Sequence, residues 1–239
     1  MAQKASEIVT IPPPHNGHMS DSELTTIANK FREIRLKSLQ IAPEAFASTY
    51  EGESRRGLEH TLERLRNPKA THFIALKESN QRHPSSERGS DIERLLDQEW
   101  LGLIVLLGPV EDTSESVSTE KDPFLNMAGS GKEESMIADS EMRDSLTALH
   151  FHLNAVFVDP AARGMGLGGS LIDAAVQRAR RETNKYHASL RVTISVYDKN
   201  KAARKIYEKA GFEVVDERQS KSHGDRKAIN MELSTPAQL

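Results

Sequence analysis

The spacing of apolar residues along the chain predicts both helices and strands. Apolar side chains three and four residues apart, the period of a helix with one buried face, predict helices over residues 20–39, 58–65, 163–183 and 198–210. Continuous or alternating apolar runs predict strands over residues 71–76, 100–107, 147–158, 190–196, 212–215 and 229–233. The mixture of the two kinds of element predicts an α/β fold.

Polar stretches interrupt this pattern and set the expected domain organisation. Residues 1–19 contain three consecutive prolines and no apolar periodicity, so they are predicted to form a flexible N-terminal arm. Residues 20–239 are predicted to form a single domain, because one continuous series of helices and strands fills them. Long polar stretches at about 79–97 and 108–146 are interpreted as loop inserts within that domain.

The most informative stretch joins the strand at 147–158 to the helix at 163–183. Pro160 ends the strand, because proline cannot donate to a strand ladder. A glycine-rich turn follows and leads into the helix, with the sequence Arg163-Gly164-Met165-Gly166-Leu167-Gly168. The first N–H groups of a helix have no partner within it, and with the helix dipole they favour an anion such as phosphate. The next predicted strand completes a β-α-β unit, whose two strands should be parallel.

Composition excludes several classes of function. The chain of 239 residues has a net charge of -3, so it lacks the overall positive field that favours non-specific nucleic-acid binding. It contains no cysteine, which removes disulfides, thiolate metal sites and a cysteine nucleophile. No apolar run has membrane-spanning length, and no targeting segment is recognised at the N-terminus. We therefore expect a cytoplasmic protein, with the nucleus as a further compartment.

The glycine-rich turn is compatible with two kinds of nucleotide ligand. Gly164, Gly166 and Gly169 match the spacing G-x-G-x-x-G of dinucleotide-binding folds. In those folds the glycines directly follow the strand, and a carboxylate about twenty residues further on binds the ribose. Here residues 159–163 intervene, and the positions about twenty residues on lie past the predicted end of the helix. These differences disfavour a dinucleotide.

A second interpretation of the turn includes Arg163. The pattern Arg163-x-x-Gly166-x-Gly168 after a strand resembles the acetyl-CoA motif of the GNAT superfamily of N-acetyltransferases. Further along, the chain is similar to a helix typical of that superfamily, with the pattern Asn200-x-x-Ala203-x-x-x-Tyr207-x-x-x-Gly211-Phe212. The resemblance extends over roughly residues 20–233, but the two long inserts have no counterpart in a minimal member.

The resemblance implies a fold, a co-substrate and a set of binding residues. The fold would be a mixed, mostly antiparallel twisted sheet flanked by helices, with a parallel strand pair splayed at a central β-α-β unit. The co-substrate would be acetyl-CoA, with its pyrophosphate on the glycine-rich turn and its pantetheine arm along the preceding strand. The residues so implied are Val156, Phe157, Val158, Arg163, Gly164, Met165, Gly166, Leu167, Gly168, Gly169, Asn200, Ala203 and Tyr207.

Three residues are candidates for proton transfer. In related enzymes a tyrosine matching Tyr207 often protonates the departing thiolate, and a phenol holds its proton at neutral pH. Tyr207 would equally suit a buried helix stripe, and Asn200 would equally suit a helix N-cap. His150 and His152 alternate on one strand, so both should face the same side, where either could accept the amine proton. No carboxylate lies on that strand to serve instead.

The sequence thus predicts an enzyme that moves the acetyl group of acetyl-CoA to a primary amine, by direct attack in a ternary complex. The expected acceptor is a small molecule such as an amino acid, a polyamine or an arylamine, without nucleic acid, membrane or metal ion. A protein N-terminus or lysine as acceptor, and a non-catalytic acyl-CoA-binding module, are the alternatives. The identity of the amine and the oligomeric state, a homodimer included, stay open.

Overall fold

The computed structural model describes residues 7–14, 17, 19–78, 90–111, 148–219 and 227–237. The helices in these ranges are α1 Asp21–Ile41, α2 Tyr50–Ser54, α3 Leu58–Arg66, α4 Asp91–Asp97, α5 Leu167–Asn184 and α6 Lys201–Lys209. The strands are β1 Glu7–Thr10, β2 Ala70–Leu76, β3 Trp100–Glu111, β4 Ala148–Val158, β5 Ser189–Tyr197, β6 Glu213–Gln219 and β7 Lys227–Thr235. Short 3-10 turns lie at Pro43–Ala45 and Pro160–Ala162.

These strands form one sheet in the order β1-β2-β3-β4-β5-β7-β6. β4 and β5 pair in parallel, and all the other neighbouring pairs are antiparallel. The parallel pair is the β-α-β unit β4-α5-β5, because a strand that follows a crossover helix returns in the same direction. The predicted α/β fold with a mixed, mostly antiparallel sheet is confirmed.

A hydrophobic core lies on each face of the sheet. In β2, Phe73 and Ala75 join the cluster beneath α5, whereas Ile74 and Leu76 join the cluster that contains residues of α1, α3 and α4. This division follows from the alternation of side chains along a strand. Helices thus cover both faces of the sheet.

Helix α1 illustrates how the sequence sets an element. The Ser20 hydroxyl accepts a hydrogen bond from the backbone N–H of Glu23, and the Glu23 carboxylate accepts one from Ser20 N at 2.8 Å. This is the capping box that the spacing of the two residues predicts. The helix ends at Ile41, close to the predicted end at 39. Its buried face repeats every fourth residue, at Ile27, Phe31, Arg35 and Leu39.

Three details of the predicted organisation are corrected. Residues 7–10, which were assigned to a flexible arm, form β1 on the edge of β2, and Val9 is buried there. Residues 91–97, which were assigned to a loop insert, form α4, with Leu95 buried. The second predicted insert begins later than 108, because β3 continues to Glu111. Residues 79–89 and 112–146 of the predicted inserts lie outside the described residues.

Candidate functional site

The parallel strands β4 and β5 separate partway along their length. Their ladder begins at Ala148 and ends at the pair His152 and Thr193, although both strands continue beyond it. From that point β5 pairs only with β7 among the described strands, and residues 153–158 of β4 have no ladder on the side facing β5. The predicted splay of the parallel pair is confirmed. It leaves backbone N–H and C=O groups of β4 available to an extended ligand.

A bulge in β4 accompanies the separation. Ala155 and Val156 stand opposite a single residue of β3, since the register shifts between Asn154 and Phe157. Ala155 has a φ of 53°, and its N–H donates to the side-chain oxygen of Asn154 at 2.7 Å. A bulge bends a strand and increases its twist. The bulge lies in the part of β4 that is no longer paired with β5.

The turn after β4 leads to a helix N-terminus that no side chain caps. Gly164 and Gly166 have φ values of 81° and 80°, a conformation that residues with side chains rarely adopt. Gly166 is the N-cap of α5, which starts at Leu167 rather than at the predicted residue 163. A Cβ atom on Gly164, Gly166 or Gly169 would meet no atom within 4 Å, so the turn borders open space. These features suit an anion such as a phosphate.

Neighbouring elements anchor the turn. The Asp159 carboxylate forms an ion pair with Lys37 of α1 and accepts a hydrogen bond from Ala161 N at 3.0 Å. The hydrogen bond from Lys37 holds the pKa of Asp159 below its usual value. Arg163 is exposed, and its Nε donates to the carbonyl oxygen of Val158 at 3.3 Å. The turn is therefore tied both to α1 and to the end of β4.

One cavity of about 1500 Å³ extends from the glycine-rich turn, along the splayed strands, to α1 and β2. Most of the residues proposed from the sequence line it, namely His152, Val156, Phe157, Val158, Arg163, Gly164, Gly166, Leu167, Gly168, Gly169, Asn200, Ala203 and Tyr207. Met165 and His150 are not among the lining residues. The structure thus brings together residues from four separate elements around one space.

The α6 helix contributes Tyr207 and Asn200 to the cavity wall. Tyr207 is only 3% exposed and packs edge-on against Phe212, with ring centroids 5.8 Å apart. Burial raises its pKa above the usual value for tyrosine. The side-chain oxygen of Asn200 accepts a hydrogen bond from Ala203 N at 3.2 Å. Asn200 is thus the N-cap of α6, one of the two roles that the sequence left open.

The two strand histidines meet at one hydroxyl. His150 Nε2 and His152 Nδ1 each lie 3.0 Å from the Thr193 hydroxyl oxygen. That hydroxyl also donates to the carbonyl oxygen of Phe151 at 3.3 Å. The prediction that both histidines face the same side of β4 is confirmed. They differ in access, because His152 lines the cavity whereas His150 is buried behind it.

Sequence reasoning missed the part of the cavity wall that α1, α3 and β2 form. The Arg35 guanidinium lies 4.8 Å from the centre of the Phe46 ring, and Arg64 and His72 line the same region. Burial, together with the nearby charge of Arg64, lowers the pKa of His72 to about 4, so its imidazole is neutral. The signal for Arg35 was present, because a cation at a regular position of an otherwise apolar stripe is unusual.

The described ranges lack two other features. They contain no group of three or more His, Asp or Glu side chains that could hold a metal ion. None of the helices there has the length and apolar character needed to cross a membrane.

Residues 132–214 match a protein-family model described as an acetyltransferase (GNAT) domain. Among curated protein sequences, none matches the chain.

Solved structures share the fold. Arabidopsis thaliana NAA60 with a bisubstrate analogue aligns with a TM-score of 0.52 and 12% identity, over 96% of this chain and 99% of that one. The putative acetyltransferase yncA of Salmonella typhimurium, with acetyl-CoA, aligns with a TM-score of 0.52 and 13% identity, over 98% and 96%. A GNAT-family acetyltransferase from Streptococcus pneumoniae aligns with a TM-score of 0.51 and 10% identity, over 95% and 99%. Together with the family model, the shared fold confirms the resemblance seen in the sequence.

Proposed function

We propose that this chain, which carries a GNAT acetyltransferase domain, transfers the acetyl group of acetyl-CoA to the primary amine of a small molecule. The observation that carries the proposal is the position of the splay. The open edge of β4 continues directly into an uncapped helix N-terminus within one cavity. An extended arm that ends in a phosphate group fits this combination better than a compact nucleotide does.

The residues of the chain fit the pyrophosphate and the pantetheine arm of acetyl-CoA. Backbone N–H groups from Gly164 to Gly169 are suited to the pyrophosphate, because Gly164, Gly166 and Gly169 border open space. Residues 153–158 offer backbone hydrogen-bonding groups to the amides of the pantetheine arm. The cavity of about 1500 Å³ leaves room for an acceptor beyond the arm. The chemistry that the bound co-substrate supplies is an acetyl group activated as a thioester.

Tyr207 is suited to donate a hydrogen bond to the departing sulfur. It lines the cavity, and its raised pKa keeps the phenol protonated at every pH at which the protein would work. The same shift makes the phenol a weaker acid than an ordinary tyrosine. We therefore assign to Tyr207 mainly the stabilisation of the developing thiolate through its O–H group.

His152 is suited to take the proton that the attacking amine loses. Its ring reaches the cavity, and its Nδ1 is held by the Thr193 hydroxyl. The same hydroxyl contacts His150, which we assign to orienting Thr193 from behind the cavity wall. A base held in this way by a second group is the usual arrangement for proton transfer.

The decisive experiment measures CoA release with a panel of amines, using the wild-type protein and two pairs of variants. We expect Tyr207→Phe to lower kcat about a hundredfold or more without weakening acetyl-CoA binding, since only a hydroxyl is lost. Tyr186→Phe is the matched control, because Tyr186 does not line the cavity. His152→Gln should lower kcat by a similar factor, whereas His60→Gln, on α3, should not.

Each alternative has its own outcome in that experiment. Full turnover by Tyr207→Phe would remove the tyrosine from the mechanism. Turnover with peptides but not with free amines would identify a protein acetyltransferase. A wild-type protein that binds acetyl-CoA tightly but releases no CoA with any acceptor would be a binding module rather than an enzyme.

A further inference from the structure

Arg35 carries a buried positive charge that no described residue neutralises through an ion pair or a hydrogen bond. The residue is 8% exposed, and its Nη1 atom is fully buried without a hydrogen-bond partner. Within the described part of the chain its guanidinium makes no hydrogen bond or ion pair, and its recorded contact is with the face of Phe46. A buried charge is costly unless a counter-ion or hydrogen bonds compensate it.

Glu53, the carboxylate whose charge acts on Arg35, is already engaged by other cations. Glu53, only 5% exposed, accepts a hydrogen bond from Arg64 Nη1 at 2.5 Å and also lies 3.6 Å from Arg56 Nη1. Burial lowers the pKa of Arg35 to about 10 in spite of the favourable charge of Glu53. The guanidinium thus stays charged at neutral pH, and two cations share one carboxylate before Arg35 is counted.

The other titratable groups on this part of the wall do not supply a counter-ion either. His72 is neutral at physiological pH, because its pKa is lowered to about 4. Glu44 also lines the cavity, but it lies on the exposed turn after α1 and forms no ion pair with Arg35. The region around Arg35 is therefore a buried site of net positive charge within the proposed active-site cavity.

We infer that the acceptor carries a carboxylate, which binds Arg35, so that the substrate class is an amino acid or a similar small amine with an acidic group. The inference rests on the proposed function and selects among its acceptors. The planar guanidinium can bind both oxygens of a carboxylate, and burial strengthens that pairing. With the carboxylate at Arg35, the remainder of the cavity, which His152 lines, is left to the amine. A polyamine would instead bring further positive charge toward Arg35 and Arg64.

The test uses matched acceptors that differ only in the acidic group. Each L-amino acid is compared with its carboxamide and with the amine that lacks the carboxyl group, and spermidine and a short peptide complete the panel. We expect kcat/KM for the preferred amino acid to exceed that of its carboxamide about a hundredfold. This factor is what a charge-assisted hydrogen-bonded pair at a buried site typically contributes.

Variants of Arg35 then distinguish a loss of carboxylate recognition from a general loss of folding or activity. Arg35→Gln should raise KM for the amino acid about a hundredfold and leave KM for the carboxamide unchanged. Arg35→Lys should restore part of the KM difference between the amino acid and its carboxamide, since lysine retains the positive charge but not the paired N–H donors of the guanidinium. Arg66→Gln is the control, because Arg66 pairs with Glu59 on the surface and does not line the cavity. The Arg35→Gln protein should unfold at a temperature no lower than the wild type, because the substitution removes an uncompensated charge.

The outcomes distinguish this inference from the proposed function. Equal turnover of amino acids and carboxamides, or a KM difference that survives Arg35→Gln, would overturn the role of Arg35 and leave the acetyltransferase standing. A preference for spermidine or for the peptide would also overturn it. Absence of CoA release with every acceptor would refute the proposed function itself, and the inference with it.

Discussion

Replacing Gly169 by alanine tests whether the start of α5 binds the phosphates of the co-substrate. Gly169 lies in the first turn of this helix, has an ordinary helical conformation and would place a new Cβ in open space. Alanine is favoured over glycine in helices by about 0.5–1 kcal/mol, so the ligand-free protein should gain about that much stability. For a chain of this length the gain corresponds to a rise in Tm of about 1–4 °C.

Binding should change in the opposite direction. The open space at Gly169 is the space that we assign to the pyrophosphate, so the methyl group would displace it from the backbone N–H groups. We expect the Kd for acetyl-CoA, measured by calorimetry, to rise at least about tenfold, which corresponds to about 1.4 kcal/mol. General damage to the fold would lower both the stability of the protein and its affinity for acetyl-CoA. A gain in stability together with a loss of affinity therefore points to the binding site itself.

Gly57→Ser is the matched control for this prediction. Gly57 is the N-cap of α3, makes no side-chain cap, and also borders open space. It does not line the cavity, so the serine should stabilise the protein by about a few tenths of a kcal/mol without changing the Kd. If Gly169→Ala binds acetyl-CoA as tightly as the wild type, the glycine-rich turn is not the phosphate site.

Two further predictions concern the groups around the site. The pKa of buried His72 is about 4 in the folded protein and 6.5 in the unfolded chain, so the unfolded chain binds the proton first as the pH falls. The free energy of unfolding should therefore decrease by about 3 kcal/mol as the pH drops from 6.5 to 4. Urea unfolding of His72→Gln should lack that part of the pH dependence. If the free energy of unfolding depends on pH equally in His72→Gln and in the wild type, the prediction is wrong. Lys37→Met removes the ion pair of Asp159. We expect the free energy of unfolding, measured in urea, to fall by up to about 1 kcal/mol, and the Kd for acetyl-CoA to rise a few-fold. An unchanged Kd would show that α1 does not hold the turn.

The β-α-β unit and its glycine-rich turn could be predicted because their signals are local. Period-2 and period-3.6 patterns flank the turn, and the glycines occupy positions where the backbone needs positive φ, as at Gly166. The capping box at Ser20 is a similar short-range signal. Each depends on residues within a few positions of one another, so the sequence contains the information directly.

The elements that were missed depend on distant partners. β1 is four residues long and follows no clear alternation, and it becomes a strand because the edge of β2 offers it a ladder. The bulge at Ala155 arises from the pairing of β4 with β3, which no spacing within β4 announces. Arg35 could have been noticed as the exception in a buried stripe. Whether a described side chain pairs with its charge depends on α2 and α3, which pack against α1.

The positions of the bulge in β4 and of Arg35 support one explanation of how the site binds its ligands. Helices cover both faces of the sheet, and the bulge in β4 accompanies the separation of β4 from β5. An unpaired stretch of β4, an uncapped helix N-terminus and a buried guanidinium lie along one cavity. Each feature is unfavourable in the ligand-free protein, and each is complementary to one part of the proposed complex: the pantetheine arm, the pyrophosphate and the acceptor carboxylate. Binding energy at all three places can then hold the amine and the thioester together, which is what transfer by direct attack requires.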